Sequence, residues 1–242
     1  MSGSRVKGYT IVQSIMFALL VTAFAFFTPS MRLPSGGSIR LLGSGPPCVF
    51  SSGLWNTAPN FLYSNVLRGL KKNMTVVTAS MPLDAAVIDE IADTIGVDQV
   101  VLFGHSSFDP RVLASDRIRR AVLCDPISRP LLDLTGMQQT SVDAACPVLT
   151  LRASYLYNSS MPQWNVPDIR GDVKDKVLDG YGHTDILDDR WAEFANGLGF
   201  WRAAQPQKQR FDEWLPSESG SSGRLEYREA LVSHALIFLL AQ

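Results

Sequence analysis

Residues 99–108 read Gln-Val-Val-Leu-Phe-Gly-His-Ser-Ser-Phe. The run from Gln99 to Phe103, apolar after its first residue, is too short for a helix and carries two β-branched residues. That is the signature of a strand buried on both faces. The run stops at Gly104, and Ser106 follows two positions later, where the strand must turn. A glycine lets such a turn close tightly. Gly104-His105-Ser106 matches the first three positions of the Gly-x-Ser-x-Gly turn that lifts a serine hydroxyl above the end of a sheet, and Phe108 stands in place of the last glycine.

Similar runs recur on both sides. Ile39 to Leu42, Cys48 to Phe50 and Met74 to Ala79 precede it; Arg120 to Cys124, Pro147 to Leu151 and Lys176 to Leu178 follow. Between them, Pro59 to Lys71 and Asp84 to Ile95 place apolar residues at helical spacing, and Leu225 to Leu240 does so near the end of the chain. Continuous apolar strands alternating with helices predict a mostly parallel α/β sheet with helices on both faces. Such sheets hold their ligands outside the carboxyl ends of the strands. The Gly/Ser/Pro-rich stretch Leu33 to Gly37 separates an N-terminal segment, 1–37, from a single domain over 38–242, and Ser217 to Gly223 reads as a flexible linker within it.

Three side chains at predicted strand ends form a chemical set. Ser106 follows the first run, Asp125 follows Arg120 to Cys124, and His183 follows Lys176 to Leu178 inside a Gly-containing turn. A hydroxyl is a weak nucleophile at neutral pH and needs an imidazole to take its proton. The imidazole in turn needs a carboxylate to hold its tautomer and stabilise its cation. The order Ser…Asp…His is the chain order of α/β-hydrolases. Only three histidines exist. His105 is expected to point away from the serine, and His234 to be a core or surface residue of the last helix. Asp168 competes with Asp125 for the carboxylate role, but it lies in a Pro-containing segment without periodicity, whereas Asp125 ends a rigid strand. Backbone N–H groups of Ser107 and Leu54 are the expected oxyanion donors. Gly53, Trp55, Phe108 and Trp164 are the expected pocket lining.

The segment Tyr181-Gly182-His183-Thr184-Asp185-Ile186-Leu187-Asp188-Asp189 resembles the histidine loop of plant and algal chlorophyllases. The elbow at Ser106 and the strand-end pair Asp125-Pro126 are similar to theirs and occur in the same order. The resemblance implies an α/β-hydrolase fold, cleavage of a lipophilic ester without a metal, and Asp125 rather than Asp168 as the acid. The chain departs from that pattern at Phe108-Asp109, where the family has Gly-Gly, and it leaves space for a helix of barely two turns after Ser106.

Composition bounds the remaining readings. The chain has 242 residues, 46% of them hydrophobic and 19% charged, so it can bury a substantial core. With 22 basic and 23 acidic residues the net charge is −1, which argues against a nucleic-acid partner. Cys48, Cys124 and Cys146 are too scattered for a zinc site or a disulfide framework. No cofactor or metal is expected. Tyr9 to Phe27 is uncharged, apolar and close to bilayer length, and Arg5 and Lys7 precede it. It is expected to be an N-terminal hydrophobic helix that anchors the domain to a membrane of the secretory pathway or an organelle, or else a cleaved signal that leaves the domain secreted. The expected function is a serine ester hydrolase acting through an acyl-enzyme on a lipophilic ester. The alternative is a catalytically lapsed hydrolase-fold protein that serves as a membrane-anchored binding subunit.

Overall fold

The structure is a computed structural model that describes residues 30–56, 58–107, 109–127, 141–153, 168–179, 181, 183, 185–192 and 220–241. The strands are β1 (Met31–Arg32), β2 (Ser38–Leu42), β3 (Pro47–Ser51), β4 (Thr75–Ala79), β5 (Val100–Ser107), β6 (Ile118–Ile127), β7 (Val142–Asp143), β8 (Val148–Ala153), β9 (Ile169–Arg170) and β10 (Val173–Leu178). Eight of them form one sheet in the order β1-β2-β4-β3-β5-β6-β8-β10, and β7 and β9 form a separate parallel pair. From β4 to β10 every pairing is parallel; β2 joins β4 antiparallel, and β1 joins β2 antiparallel. The mostly parallel sheet read from the sequence is therefore present, with an antiparallel edge.

Alternation along the central strands feeds two cores. Val49, Val77, Leu102 and Leu123 point to one face and pack against Val87, Ile88, Ile91 and Ala92 of α3 (Ala85–Ile95). Their neighbours Phe50, Val76, Val101, Phe103 and Val122 point to the other face. There they meet α2 (Ser64–Leu70) and α4 (Gly220–Leu239), through Val66, Leu67 and Leu70 and through Tyr227, Leu231, Ala235 and Leu239. Both faces are covered, which is why the strands carry no polar alternation. A short helix α1 (Gly53–Asn56) leaves the end of β3. The helix α3 starts where the Asp84 side chain accepts from the Val87 N–H at 2.8 Å, and it ends at Gly96 in the left-handed conformation, φ 72°.

Four expectations need correction. The helical stretch Pro59 to Lys71 is split into a 3₁₀ turn, Asn60–Tyr63, and the shorter α2. No α-helix follows Ser106 among the residues described before β6: Pro110 and the Asp109 carboxylate start a 3₁₀ turn, Pro110–Ala114, in place of the short helix expected. The stretch read as a linker contains the start of α4, which begins at Gly220. The last strand begins at Val173, three residues earlier than its apolar run, because its exposed Lys174, Asp175 and Lys176 lie on the sheet's edge, where charge is tolerated. Residues 9–27 lie outside the described residues; among those described, no helix is long and apolar enough to cross a membrane. All three cysteines are buried and free.

Candidate active site

Two neighbouring strands lose their regular geometry at the same height. The β5–β6 register runs His105↔Cys124 and resumes at Ser107↔Ile127, so Ser106 faces two residues, Asp125 and Pro126. An extra residue in one strand bends the backbone and re-aims side chains. Here both flanking residues leave the extended region: Ser106 has φ 60° and Asp125 φ 44°. Non-glycine residues are costly there and persist where surrounding structure holds them, often at functional sites. Ser106 therefore leaves the extended conformation near the end of β5, although the strand runs on to Ser107 and no α-helix follows among the residues described before β6.

His183 completes a buried line of three side chains. Its Nε2 lies 3.0 Å from Ser106 Oγ, and its Nδ1 lies 3.5 Å from Asp125 Oδ2. The other carboxylate oxygen of Asp125 accepts the Ala153 N–H at the end of β8, at 2.6 Å. That bond fixes the carboxylate's aim in a site with 1% exposure. With Nδ1–H turned to the carboxylate, Nε2 is the acceptor that faces the serine hydroxyl. Cys124, beside Asp125, offers no competing nucleophile: burial first, and the Asp125 charge second, push its thiol well up.

The loop that carries His183 is pinned on two sides. Asp188 Oδ1 accepts the Asn65 N–H at 2.9 Å, and the Asp188 N–H donates to the Leu62 carbonyl at 2.8 Å. From α4, Arg228 donates to the Leu187 carbonyl at 2.6 Å and pairs with Asp189 at 3.0 Å. Arg224, one turn earlier, reaches the fully buried Asp185 at 3.5 Å. Tyr181 stacks on Tyr227 with ring centroids 4.5 Å apart. The acidic positions of the segment resembling the chlorophyllase loop are therefore tethers to α2 and α4. Sequence reasoning did not identify Arg224 or Arg228; their i, i+4 spacing, which puts both on one helix face, was the available signal.

His105 has partners that the sequence did not announce. Strand alternation sends it to the Phe103 face and away from the serine hydroxyl, yet its ring stacks on that of His183, centroids 4.7 Å apart. Its Nδ1 lies 2.9 Å from Tyr63 Oη and its Nε2 3.3 Å from the His183 carbonyl oxygen. Tyr63 Oη also accepts the Gly53 N–H at 3.0 Å. Burial first, and the neighbouring His183 second, hold His105 neutral well below the ordinary imidazole range.

The strap Ser52–Asn56 lies against the serine. A Cβ added at Gly53 would stand 3.3 Å from Ser106 Cβ and 3.1 Å from Tyr63 Oη, so a side chain here would press on both. Asn56, at φ 64°, ties the strap down: Oδ1 accepts the Ser52 N–H at 3.0 Å, and Nδ2 donates to the Ala79 and Met81 carbonyls at 3.1 and 2.7 Å. Because the Gly53 N–H is engaged by Tyr63, the next N–H along the strap is that of Leu54. Ser107 ends β5 directly after the serine. The side chains of Leu54, Trp55 and Ser107, and the whole of Phe108 and Trp164, lie outside the described residues. Asp168 is exposed, directly before β9 of the two-stranded sheet, where its carbonyl accepts the Val142 N–H at 2.9 Å. Asp125 is the carboxylate that the fold brings to His183.

His105, Asp125 and His183 bring potential metal-ligating atoms within 4.8 Å of one another. Both nitrogens of His105 and one oxygen of Asp125 already have hydrogen-bond partners in protein groups. The donor set is arranged as a hydrogen-bonded chain rather than as an open coordination shell.

No protein-family model matches the chain, and no curated protein does. Among solved structures, it is similar to the epoxide hydrolase CorEH at TM-score 0.48 and 13% identity, covering 74% of this chain and 99% of that one. It is similar to a bacterial membrane phospholipase A at 0.46 and 12%, covering 84% and 100%, and to carboxylesterase CesB from Bacillus subtilis at 0.46 and 12%, covering 82% and 99%. Likeness at this level assigns neither a family nor a reaction.

Proposed function

We propose that the protein is a serine ester hydrolase of α/β-hydrolase fold, acting on a lipophilic carboxylic ester. The observation that carries this reading is the buried line Ser106 Oγ–His183–Asp125, with separations of 3.0 and 3.5 Å. In the first half-reaction Ser106 Oγ attacks the ester carbonyl while its proton passes to His183 Nε2. The tetrahedral oxyanion is held by the N–H groups of Ser107 and Leu54. The imidazolium, steadied by Asp125, then returns the proton to the departing alcohol, leaving an acyl-serine. Water repeats the sequence and releases the acid. The ester's lipophilic character rests on the resemblance of the histidine loop and on the apolar residues 9–27, which we propose hold the domain at a membrane.

The test is labelling of the full chain with an alkyl fluorophosphonate, which phosphonylates a serine that has a working base. Wild type is expected to label and Ser106→Ala to stay unlabelled. A label that persists in Ser106→Ala would remove this nucleophile. The reading of a lapsed, binding-only hydrolase fold draws on Phe108 in place of glycine and on the absence of an α-helix after Ser106 among the residues described before β6, and a wild type that stays unlabelled would favour it. Against it, the hydroxyl lies at hydrogen-bond distance from the imidazole, where a lapsed site has no need to hold it.

A further inference from the structure

The carbonyl of His183 can only accept, so the His105 Nε2 that faces it must carry a proton. His105 is buried and neutral, so its Nδ1 is bare and accepts from Tyr63 Oη. The hydroxyl proton of Tyr63 is thereby committed, and its oxygen is free to accept the Gly53 N–H. All three bonds run in one direction, and each donor has one acceptor. Of the two neutral tautomers only this one satisfies the four groups at once, because the other would set the Nε2 lone pair against a carbonyl oxygen.

We propose that Tyr63 and His105 are positioning residues: a relay from the Gly53 N–H through Tyr63 Oη and His105 to the His183 carbonyl sets the spacing between the strap against Ser106 and the loop that carries His183. The two ends of the relay belong to the two parts the chemistry needs. Gly53 precedes the proposed oxyanion donor Leu54 and abuts Ser106. His183 is the proposed base. Neither Tyr63 nor His105 touches the hydroxyl through a hydrogen bond; they act through the backbone on either side of it. The His105 ring also lies against the His183 ring, so a change in its tautomer or tilt is felt where the base must be aimed. Misplacement by about 1 Å can cost on the order of a hundred-fold in rate, so a relay of this kind has consequences for turnover.

The kinetic part of this proposal rests on the serine-hydrolase reading, but the bonding part does not. Imidazole ¹⁵N spectra of the full chain contain only three histidines, which makes assignment practical. His105 is expected as the neutral Nε2–H tautomer; in Tyr63→Phe the proton is expected to stay on Nε2, while the bare Nδ1 resonance moves downfield because it has lost its donor. An Nδ1–H tautomer in wild type, or spectra unmoved in Tyr63→Phe, would overturn the relay whether or not the protein hydrolyses esters. For the kinetic arm, Gln and Met at position 105 have nearly equal volume, but only Gln can donate to the His183 carbonyl. His105→Gln is expected to label with fluorophosphonate within about three-fold of wild type, and His105→Met about thirty-fold more slowly. Tyr63→Phe is expected to fall about ten-fold, the loss associated with one buried hydrogen bond. The deficits should appear in the maximal labelling rate per folded molecule, with half-saturating probe concentration unchanged. Equal rates for the Gln and Met variants would reduce His105 to packing. A wild type that does not label would sink the hydrolase reading and leave the relay to be judged on the spectra alone.

Discussion

On the α3 face of the sheet, Val49, Leu102 and Leu123 meet Val87, Ile88 and Ile91, all aliphatic. On the opposite face, Val101 and Phe103 begin an equally apolar contact, but toward the strand ends it gives way to Tyr63, His105 and the arginines of α4. The alternation of β5 creates both faces, with Leu102 on one and Phe103 and His105 on the other. The first face contributes stability through area removed from water. The second contributes stability and also aims the groups around Ser106. Damage to the two faces should therefore be separable: loss of fold alone on one, loss of fold and of site on the other.

The largest effect should come from the site's carboxylate. Asp125→Asn keeps the shape and the Ala153 N–H contact but loses the charge that fixes the His183 tautomer. Turnover is expected to fall on the order of 10⁴-fold, as for the equivalent change in a serine protease triad. Asp168→Asn, exposed beside β9, should leave turnover unchanged. The reverse pattern, with both variants folded by circular dichroism, would move the acid and undo the site as drawn.

Next comes a matched pair, one substitution on each face. Ile88→Ala removes a fully buried side chain from α3 and is expected to cost about 2–5 kcal/mol of unfolding free energy. Arg228→Met breaks a buried pair with Asp189 and two carbonyl contacts; about 3 kcal/mol is expected, the low end for such pairs because Asp189 is partly exposed. The stability losses, read by urea unfolding, are thus comparable. Fluorophosphonate labelling per folded molecule should separate the two: unchanged in Ile88→Ala, reduced in Arg228→Met because the loop carrying His183 loses its tether. Equal labelling in both variants would mean that the α4 face is packing and nothing more.

The aliphatic face was largely legible in the sequence, and the site face only in part. Runs such as Val100 to Phe103 and Met74 to Ala79 identify strands because burial on both sides demands apolar residues at every position. The same rule ends a strand too early where polar residues are bonded within the fold. β5 continues through Gly104 to Ser107, and β6 through Asp125-Pro126 to Ile127, because the bulge between them absorbs the proline and the two left-handed residues. Ser106, Asp125 and His183 were legible because their residue types and strand-end positions are tied to chemistry. Tyr63, Asn56 and Arg228 were not, because their partners lie 42, 25 and 41 residues away in sequence and no local pattern announces them. Gly220 to Gly223 looked like linker for a related reason: local composition disfavours helix, and the contacts of α4 with the sheet override it.

The smallest expected effect is a dependence of stability on pH. Unfolded, His105 titrates near its ordinary value of 6.5; folded, burial first and the His183 ring second hold it neutral well below that. At pH 7 neither state carries the proton, so the folded protein has its full stability. As pH falls below 6.5 the unfolded chain binds a proton that the folded chain refuses, and stability drops by about 1.4 kcal/mol per pH unit. The sign follows from the depressed value: stability is complete above the unfolded pKa and is lost on acidification. Glutamine does not titrate, so His105→Gln should lose less. Between pH 7 and pH 5 the wild-type loss in urea unfolding is expected to exceed that of His105→Gln by about 2 kcal/mol. Tyr63, His183 and Asp125, the groups packed around the position, are the same in both proteins. Parallel acid limbs would show that His105 protonates in the folded state. The Nδ1 that accepts from Tyr63 would then be a donor, and the site face would lose the feature that most distinguishes it from the other.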